Sequence, residues 1–284
     1  MTYLAFDVGG TTIKYGLVHD DLSISQHGKK MTNNNLNNQI LNTILTTAKY
    51  FQQMEPTIAG IGISTAGTVG HDGSIQYAGP TIPNYQGTKL QEIVTQQTGL
   101  PTHVINDVDA ALLGEWQAGA AQNNQRVYCV AIGTGIGGAF LVDGQLIQGK
   151  HGTANSLGTT LFDSRSQTNY EQRAATLVLE RDLKPLATSV QKAFELAKQG
   201  QQPFNKMIRN WVSEVACGLA QVILLHDPDL IIIGGAVSLQ GDYLLNMLTA
   251  ELKKQLPPEL NQTQIKMAQL ANDAQLIGAI TPFL

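Results

Sequence analysis

The chain predicts an α/β protein with mostly parallel sheets, built from two similar parts. Three observations lead there. Short apolar strand-like runs alternate with helical patterns along most of its 284 residues. A strand, a glycine-rich turn and a second strand occur twice, at residues 4–18 and 127–142. Its apolar content of 43% is ample for one large core or two smaller ones.

The elements follow in order. Residues 4–8 and 12–18 form two apolar runs around Gly9-Gly10-Thr11, and a further strand near 23–29 is ended by the polar Asn33-Asn34-Asn35. Leu36, Ile40, Leu41, Ile44, Leu45, Ala48 and Phe51 recur at helical spacing and give one apolar face. Residues 58–64 read as a buried strand, 90–98 as a short helix, 102–106 as a strand whose end carries Asp107, and 110–116 as a helix. Residues 127–132 open the second strand–turn–strand unit, which continues through 139–142 into an Asp143-Gly144 hairpin turn. Pro203 suits the first turn of a long helix towards His226, whose stripe is Ile208, Val212, Val215, Ala216, Leu219, Ala220, Ile223 and Leu224. Asp227-Pro228-Asp229 stops that helix. A buried strand beginning at Leu230 then runs into a tight turn at Gly234-Gly235, where backbone can approach a planar base. A strand at 265–268 and a helix at 274–280 close the chain.

Charge and composition exclude several classes. Eighteen basic against 22 acidic residues leave a net charge of −4, and no dense basic run offers a footprint for nucleic acid. Apolar runs such as 230–233 are far shorter than the roughly 20 residues that span a bilayer. The N-terminus enters a strand at once, without the pattern of an export signal. Cys129 and Cys217 sit in an apolar run and a helical pattern, which predicts two buried thiols and a reducing, cytoplasmic setting. Neither has a second cysteine nearby to build a zinc site.

The opening Asp7-Val8-Gly9-Gly10-Thr11-Thr12-Ile13-Lys14 makes ATP the first ligand to consider. Gly9 and Gly10 allow main-chain N–H groups to approach an anion, Thr11 and Thr12 add hydroxyl donors, and Asp7 at the strand end suits a magnesium ion held through water. An ordinary hairpin explains the same residues equally well. The second turn, Gly133-Thr134-Gly135-Ile136-Gly137-Gly138, contains the spacing of a dinucleotide fingerprint, but strand rather than helix follows it. Two such turns suggest instead two domains facing each other across a nucleotide cleft.

Together with Asn106-Asp107, Asp227-Pro228, Gly234-Gly235, the Ile82-Pro83-Asn84-Tyr85-Gln86-Gly87 segment and the closing 272–279, these motifs resemble the ROK family of sugar kinases and related repressors over nearly the whole chain. The resemblance implies an actin-like ATPase (ribonuclease H-like) fold. A smaller N-terminal domain would span 1–106, completed by the C-terminal helix at about 272–284. A larger domain would span 107–271, with sugar and ATP meeting between the two and dimers forming through the larger one. It implies ATP-dependent phosphorylation of the 6-hydroxyl of a hexose, an N-acetylhexosamine or a β-glucoside, with Asp107 as general base. Asn106 and Asn84 would contact the sugar. Asp7, Gly9, Gly10, Thr11, Thr12, Gly133, Thr134, Gly135, Gly234 and Gly235 would hold the nucleotide, and Lys14 either joins them or points to solvent. The Asn106-Asp107 pair also reads as a helix cap, a role compatible with catalysis.

Two departures stand out. Where family kinases carry Glu-Ile-Gly-His, this chain has Ser156-Leu157-Gly158-Thr159, and the cysteine-rich loop that normally follows is replaced by residues 160–169, so no zinc is expected. A neutral Ser156 replaces a charged acceptor, and a charge-assisted hydrogen bond is worth about 1.5–3 kcal/mol. Glu171 either carries the surviving acidic sugar contact or is an exposed first-turn helix residue, and His151 is assigned no chemistry. Family repressors carry a winged helix-turn-helix ahead of this region, whereas six residues precede Asp7 here, which disfavours a repressor. The remaining alternative is a degenerate family member that senses sugar or nucleotide without efficient turnover.

Overall fold

A five-stranded sheet is built around two apolar runs, residues 2–8 and 58–65, that are buried along nearly their whole length. In the computed structural model, which describes residues 1–79 and 82–284, Thr2–Val8 (β1) pairs antiparallel with Thr12–His19 (β2), and β2 with Ile24–Met31 (β3). The next elements are helix Gln39–Met54 (α1), strand Ile58–Thr65 (β4), the short ribbon Thr68–Val69 (β5) with Ile75–Tyr77 (β6), helix Leu90–Thr98 (α2), strand Thr102–Asn106 (β7) and helix Asp107–Ala118 (α3). The sheet order is β3-β2-β1-β4-β7, with β1, β4 and β7 parallel. Register sets Asp7 opposite both Lys14 on β2 and Ser64 on β4. On one face, Ile40, Ile44 and Phe51 of α1 and Leu90 and Val94 of α2 pack against Leu4, Phe6, Ile61 and Ile63. The asparagine stretch does more than end β3: buried Asn35 donates to the carbonyls of Pro83 and Asn84 and accepts from Ile40 N–H, tying that segment to α1.

A second sheet repeats the scheme. Arg126–Ile132 (β8) and Ile136–Val142 (β9) are antiparallel, Gln145–Leu146 (β10) extends β9, and the helices that follow are Glu171–Ala174 (α4), Thr176–Leu183 (α5), Val190–Lys198 (α6) and Phe204–His226 (α7). Strand Leu230–Gly234 (β11), helix Asp242–Gln255 (α8) and strand Gln264–Met267 (β12) complete the order β10-β9-β8-β11-β12. The core here joins Val130, Ile132, Phe140, Ile231 and Ile233 with Phe194, Trp211, Val215 and Leu219. Helices α5, α6 and α8 had no sequence expectation, although Leu244, Leu248 and Leu252 do repeat at helical spacing.

Helix α7 has the length and apolarity of a membrane span, and its apolar stripe is buried in this core. Two residues depart from the expected burial. Cys217 is exposed rather than buried, and Leu224 is 48% exposed, because both lie on the side of α7 turned away from the stripe.

The final helix, Asp273–Ile280 (α9), returns to the first sheet and covers its other face through Leu276, Ile277 and Ile280 against Tyr3, Ala5 and Val18. It also packs on α3 with backbones in contact, since a Cβ on Gly278 would run into the Ala110 carbonyl and one on Gly114 into that of Ala274. Glu115, 1% exposed, accepts from Ala120 N–H and from Leu270 N–H, each at 2.8 Å, fixing the start of the C-terminal segment to α3. Contacts accordingly divide the chain into a first unit of Met1–Gln122, Gln148–Ala154 and Leu270–Leu284, and a second of Asn123–Ile147 and Asn155–Gln269. The division lies after Gln122, not after Asn106, because α3 is buried against α9.

Candidate active site

The site is built from strand ends. At the end of β1, Asp7 is 7% exposed; its Oδ2 takes the Lys14 ammonium at 3.2 Å and its Oδ1 the Ser64 hydroxyl at 3.4 Å. Lys14 also donates to Asn272 Oδ1 at 3.0 Å, at the entry to α9, so it is engaged rather than pointing to solvent. Burial pushes the Asp7 carboxyl above the usual range, and the Lys14 charge opposes that more weakly. The adjoining turn is closed by Gly9 N–H on the Thr12 carbonyl, while Thr32 holds the carbonyls of Gly10 and Thr11. These bonds consume carbonyls, and the N–H groups of Gly10 and Thr11 have no partner among the described residues. That is the polarity an anion site needs.

Where β7 becomes α3, Asn106 caps the helix: its Oδ1 accepts from Val108 N–H at 2.8 Å and Asp109 N–H at 3.2 Å. Its amide donates to the Gly67 carbonyl at 2.9 Å and to Asp107 Oδ1 at 3.0 Å. Asn106 is thus spent on the cap and on orienting Asp107. Asp107 Oδ1 also accepts from Val108 N–H at 3.0 Å, and its Oδ2 has no partner among the described residues. Burial, then the nearby charge of Asp7, with Asp109 a smaller contributor, pushes the Asp107 carboxyl up to about 7. A carboxylate with one oxygen fixed, the other available and a pKa near neutrality suits a general base.

In the second unit, Gly133 N–H bonds the Gly135 carbonyl at 2.9 Å, and the Gly133 carbonyl accepts both N–H and hydroxyl of Thr176, at 2.9 and 2.6 Å. The N–H groups of Thr134 and Gly135 have no partner among the described residues. Gly235 follows β11 with φ +83°, and a Cβ there would strike the Ile132 carbonyl, so only glycine fits. Beside it opens a pocket of about 450 Å³ lined by residues that include Thr176, Val190, Phe194, Lys198, Val237 and Leu239. Sequence reasoning missed this lining. Thr176 at the start of a helix pattern was the available signal.

The sugar-side expectations land unevenly. Asn84 is exposed with φ +55°, its carbonyl held by Asn35 and its side chain without a hydrogen bond among the described residues. Ser156 is exposed, and the Thr159 hydroxyl is spent on the Ser156 carbonyl at 2.8 Å. Glu171 is half-buried rather than an exposed helix residue: its Oε2 accepts from Ile136 N–H at 3.3 Å and lies against the backbone of Gly135 and Gly158. Among the described residues no group of three or more His, Cys, Asp or Glu side chains converges as a metal cluster. The donor set at Asp7 fits a hydrated magnesium ion carried by a nucleotide, held through water.

Two five-stranded mixed sheets, each with a strand–glycine turn–strand motif whose amides are unspent, define the actin-like ATPase fold. Similarity to solved structures agrees. A ROK family glucokinase from Streptomyces griseus, solved with glucose and AMPPNP, superposes with a TM-score of 0.83 at 28% identity, covering 98% of both chains. The ROK family profile matches residues 3–283, and the chain belongs to that family. Its relatives include a beta-glucoside kinase of Listeria innocua, 28% identical over all of this chain and 98% of that protein. A glucokinase of Thermotoga maritima is 26% identical over 97% and 95% of the two chains.

Proposed function

We propose that the chain is an ATP-dependent sugar kinase that transfers the γ-phosphate to the 6-hydroxyl of a hexose, an N-acetylhexosamine or a β-glucoside, with Asp107 as general base. The kinases among its relatives support the class, a sugar phosphotransferase. The observation that carries the reading is Asp107, held at Oδ1 by Asn106 and Val108 with Oδ2 unspent and its pKa near 7.

In the reaction, Asp107 accepts the proton of the sugar hydroxyl as its oxygen bonds to the γ-phosphorus. The bond from that phosphorus to the bridging oxygen breaks, releasing ADP. Each unit carries a turn with unspent amides, those of Gly10 and Thr11 and those of Thr134 and Gly135, suited to donate to phosphate oxygens, with Lys14 as the cation beside the first turn. Magnesium bound with the nucleotide would supply charge neutralisation. The pocket beside Gly235 suits the nucleotide base, with Leu239 and Val237 as apolar walls and Thr176 joining it to the phosphate turn.

The replacements at Ser156 and Thr159 favour a second reading, a protein that binds sugar or nucleotide without efficient turnover. A coupled ADP-release assay over a panel of hexoses, N-acetylhexosamines and β-glucosides separates the two. Sugar-dependent release that Asp107→Asn lowers by about 10²–10⁴-fold supports the kinase. Background release with every sugar, from enzyme that still binds nucleotide, supports the sensor.

A further inference from the structure

One partly buried acid near the catalytic corner has no part in the transfer just described. Asp109 lies in the first turn of α3, partly buried, and loss of water around it raises its carboxyl above the usual range while a bond from Gln148 pulls it back. That bond, Gln148 Nε2 to Asp109 Oδ2, is 2.7 Å long and joins positions 39 apart in sequence. Withdrawing a carboxylate even partly from water costs free energy unless a partner compensates it, and Gln148 is that partner here.

Gln148 is also the hinge point of a small loop. Its carbonyl accepts from Ala154 N–H at 3.1 Å, closing residues 148–154 on themselves. Within that loop Gly152 has φ +67°, and a Cβ there would come within 2.8 Å of the Val69 carbonyl, so the loop backbone lies directly on β5. Two residues before Val69, the Gly67 carbonyl takes the amide of Asn106. The loop is therefore seated on both flanks of the Asn106–Asp107 corner, by Val69 on one side and by Asp109 on the other. All these residues belong to the first unit.

We propose that Asp109 is a positioning residue for the acceptor sugar, which, by gripping Gln148, holds the 148–154 loop against the catalytic corner. The proposal rests on the reading of Asp107 as the base at the acceptor hydroxyl. The loop leads, two residues on, to Ser156, where the chain lacks a charged acceptor. An acceptor wall held by Gln148 lets backbone and loop contacts take over part of the binding that a glutamate would supply. The bond should consequently act on acceptor affinity and leave the nucleotide alone.

The test uses the full chain with its best sugar from the panel, and four variants: Asp109→Ala, Asp109→Asn, Gln148→Ala and the pair Asp109→Ala/Gln148→Ala. Asparagine keeps an oxygen that can accept from Gln148. Asp109→Ala and Gln148→Ala should each raise the sugar KM about tenfold, in the range of one hydrogen bond to a charged group, with the ATP KM within about twofold. The double variant should be no worse than either single one, and Asp109→Asn should return close to the parent. Amide hydrogen exchange, measured without ligand, should speed up at 150–154 in both alanine variants. Additive effects in the double variant, an Asp109→Asn as impaired as Asp109→Ala, an equal change in ATP KM, or unchanged exchange in the loop would each overturn the proposal. If the parent itself releases no ADP with any sugar, the kinase reading fails, and exchange at 150–154 still decides whether Asp109 and Gln148 hold the loop.

Discussion

The ammonium of Lys14 stands 3.2 Å from the Asp7 carboxylate and 3.0 Å from the side-chain oxygen of Asn272, so one cation links β1, β2 and the entry to α9 beside the first glycine turn. Asp7 is too buried to be left without a counter-charge, and Lys14 is 35% exposed at its side chain, open enough to reach an arriving phosphate. Lys14→Met should raise the ATP KM by about three- to tenfold and leave the sugar KM unchanged. Its stability cost should be about 1–2 kcal/mol, below that of a fully buried pair, because water can partly replace the ammonium. Steady-state kinetics and urea unfolding check both parts. An unchanged ATP KM would assign Lys14 to the fold alone.

With Asp107 as the proposed base, a pH dependence follows from its carboxyl. With its carboxyl pushed up to about 7, the base form is lost on acidification, and kcat/KM should fall below about pH 7 with a slope of one proton. Stability runs the other way. The folded state holds this proton more tightly than the unfolded state, whose carboxyl has a value of 3.8, so stability declines as pH rises from about 4 to about 7. Since the carboxyl is partly open to water, about 2 kcal/mol of destabilisation should remain at pH 8. Asp107→Asn, slowed by about 10²–10⁴-fold, should thus melt higher than the parent at pH 8, and melt like it at pH 4. A calorimetric comparison at the two pH values checks this.

The pocket beside Gly235 gives a separate test of donor binding. Ala236 lines it and is exposed, so Ala236→Trp fills space without disturbing the core. The ATP KM should rise at least about tenfold, on the scale of a lost base contact of 1–3 kcal/mol, while sugar binding measured without nucleotide stays as in the parent. Equal ATP affinity in the variant would place the base elsewhere.

The contact between α3 and α9 is made backbone to backbone, and Gly278 is where it is closest. Gly278→Ala gains helix propensity of about 1 kcal/mol but forces the helices apart, and overpacking of this kind costs about 1–3 kcal/mol or more. Net destabilisation is expected, visible as a lower urea midpoint. A stabilised variant would contradict the packing described.

Much of the fold was legible because its signals are local. Short apolar runs marked β1, β4, β7, β8 and β11, helical spacing marked α1 and α7, and α2 and β7 begin and end where the pattern placed them. The two glycine turns and the Asn106–Asp107 corner are each formed by consecutive residues, and so were readable without coordinates. The helix-cap and orienting roles of Asn106 coexist, as its four hydrogen bonds show.

By itself, then, the sequence determined the α/β class, the two glycine turns and the position of the candidate base, since periodicity and turn chemistry depend on neighbours along the chain. Only the tertiary structure decided that α3 belongs with the first unit, that Lys14 is held by Asn272, 258 positions away, and that Glu171 lies under the second turn. It alone paired Asp109 with Gln148. These are contacts between residues far apart in the chain, set by strand register and helix packing, and no local pattern announces which partner a side chain will meet.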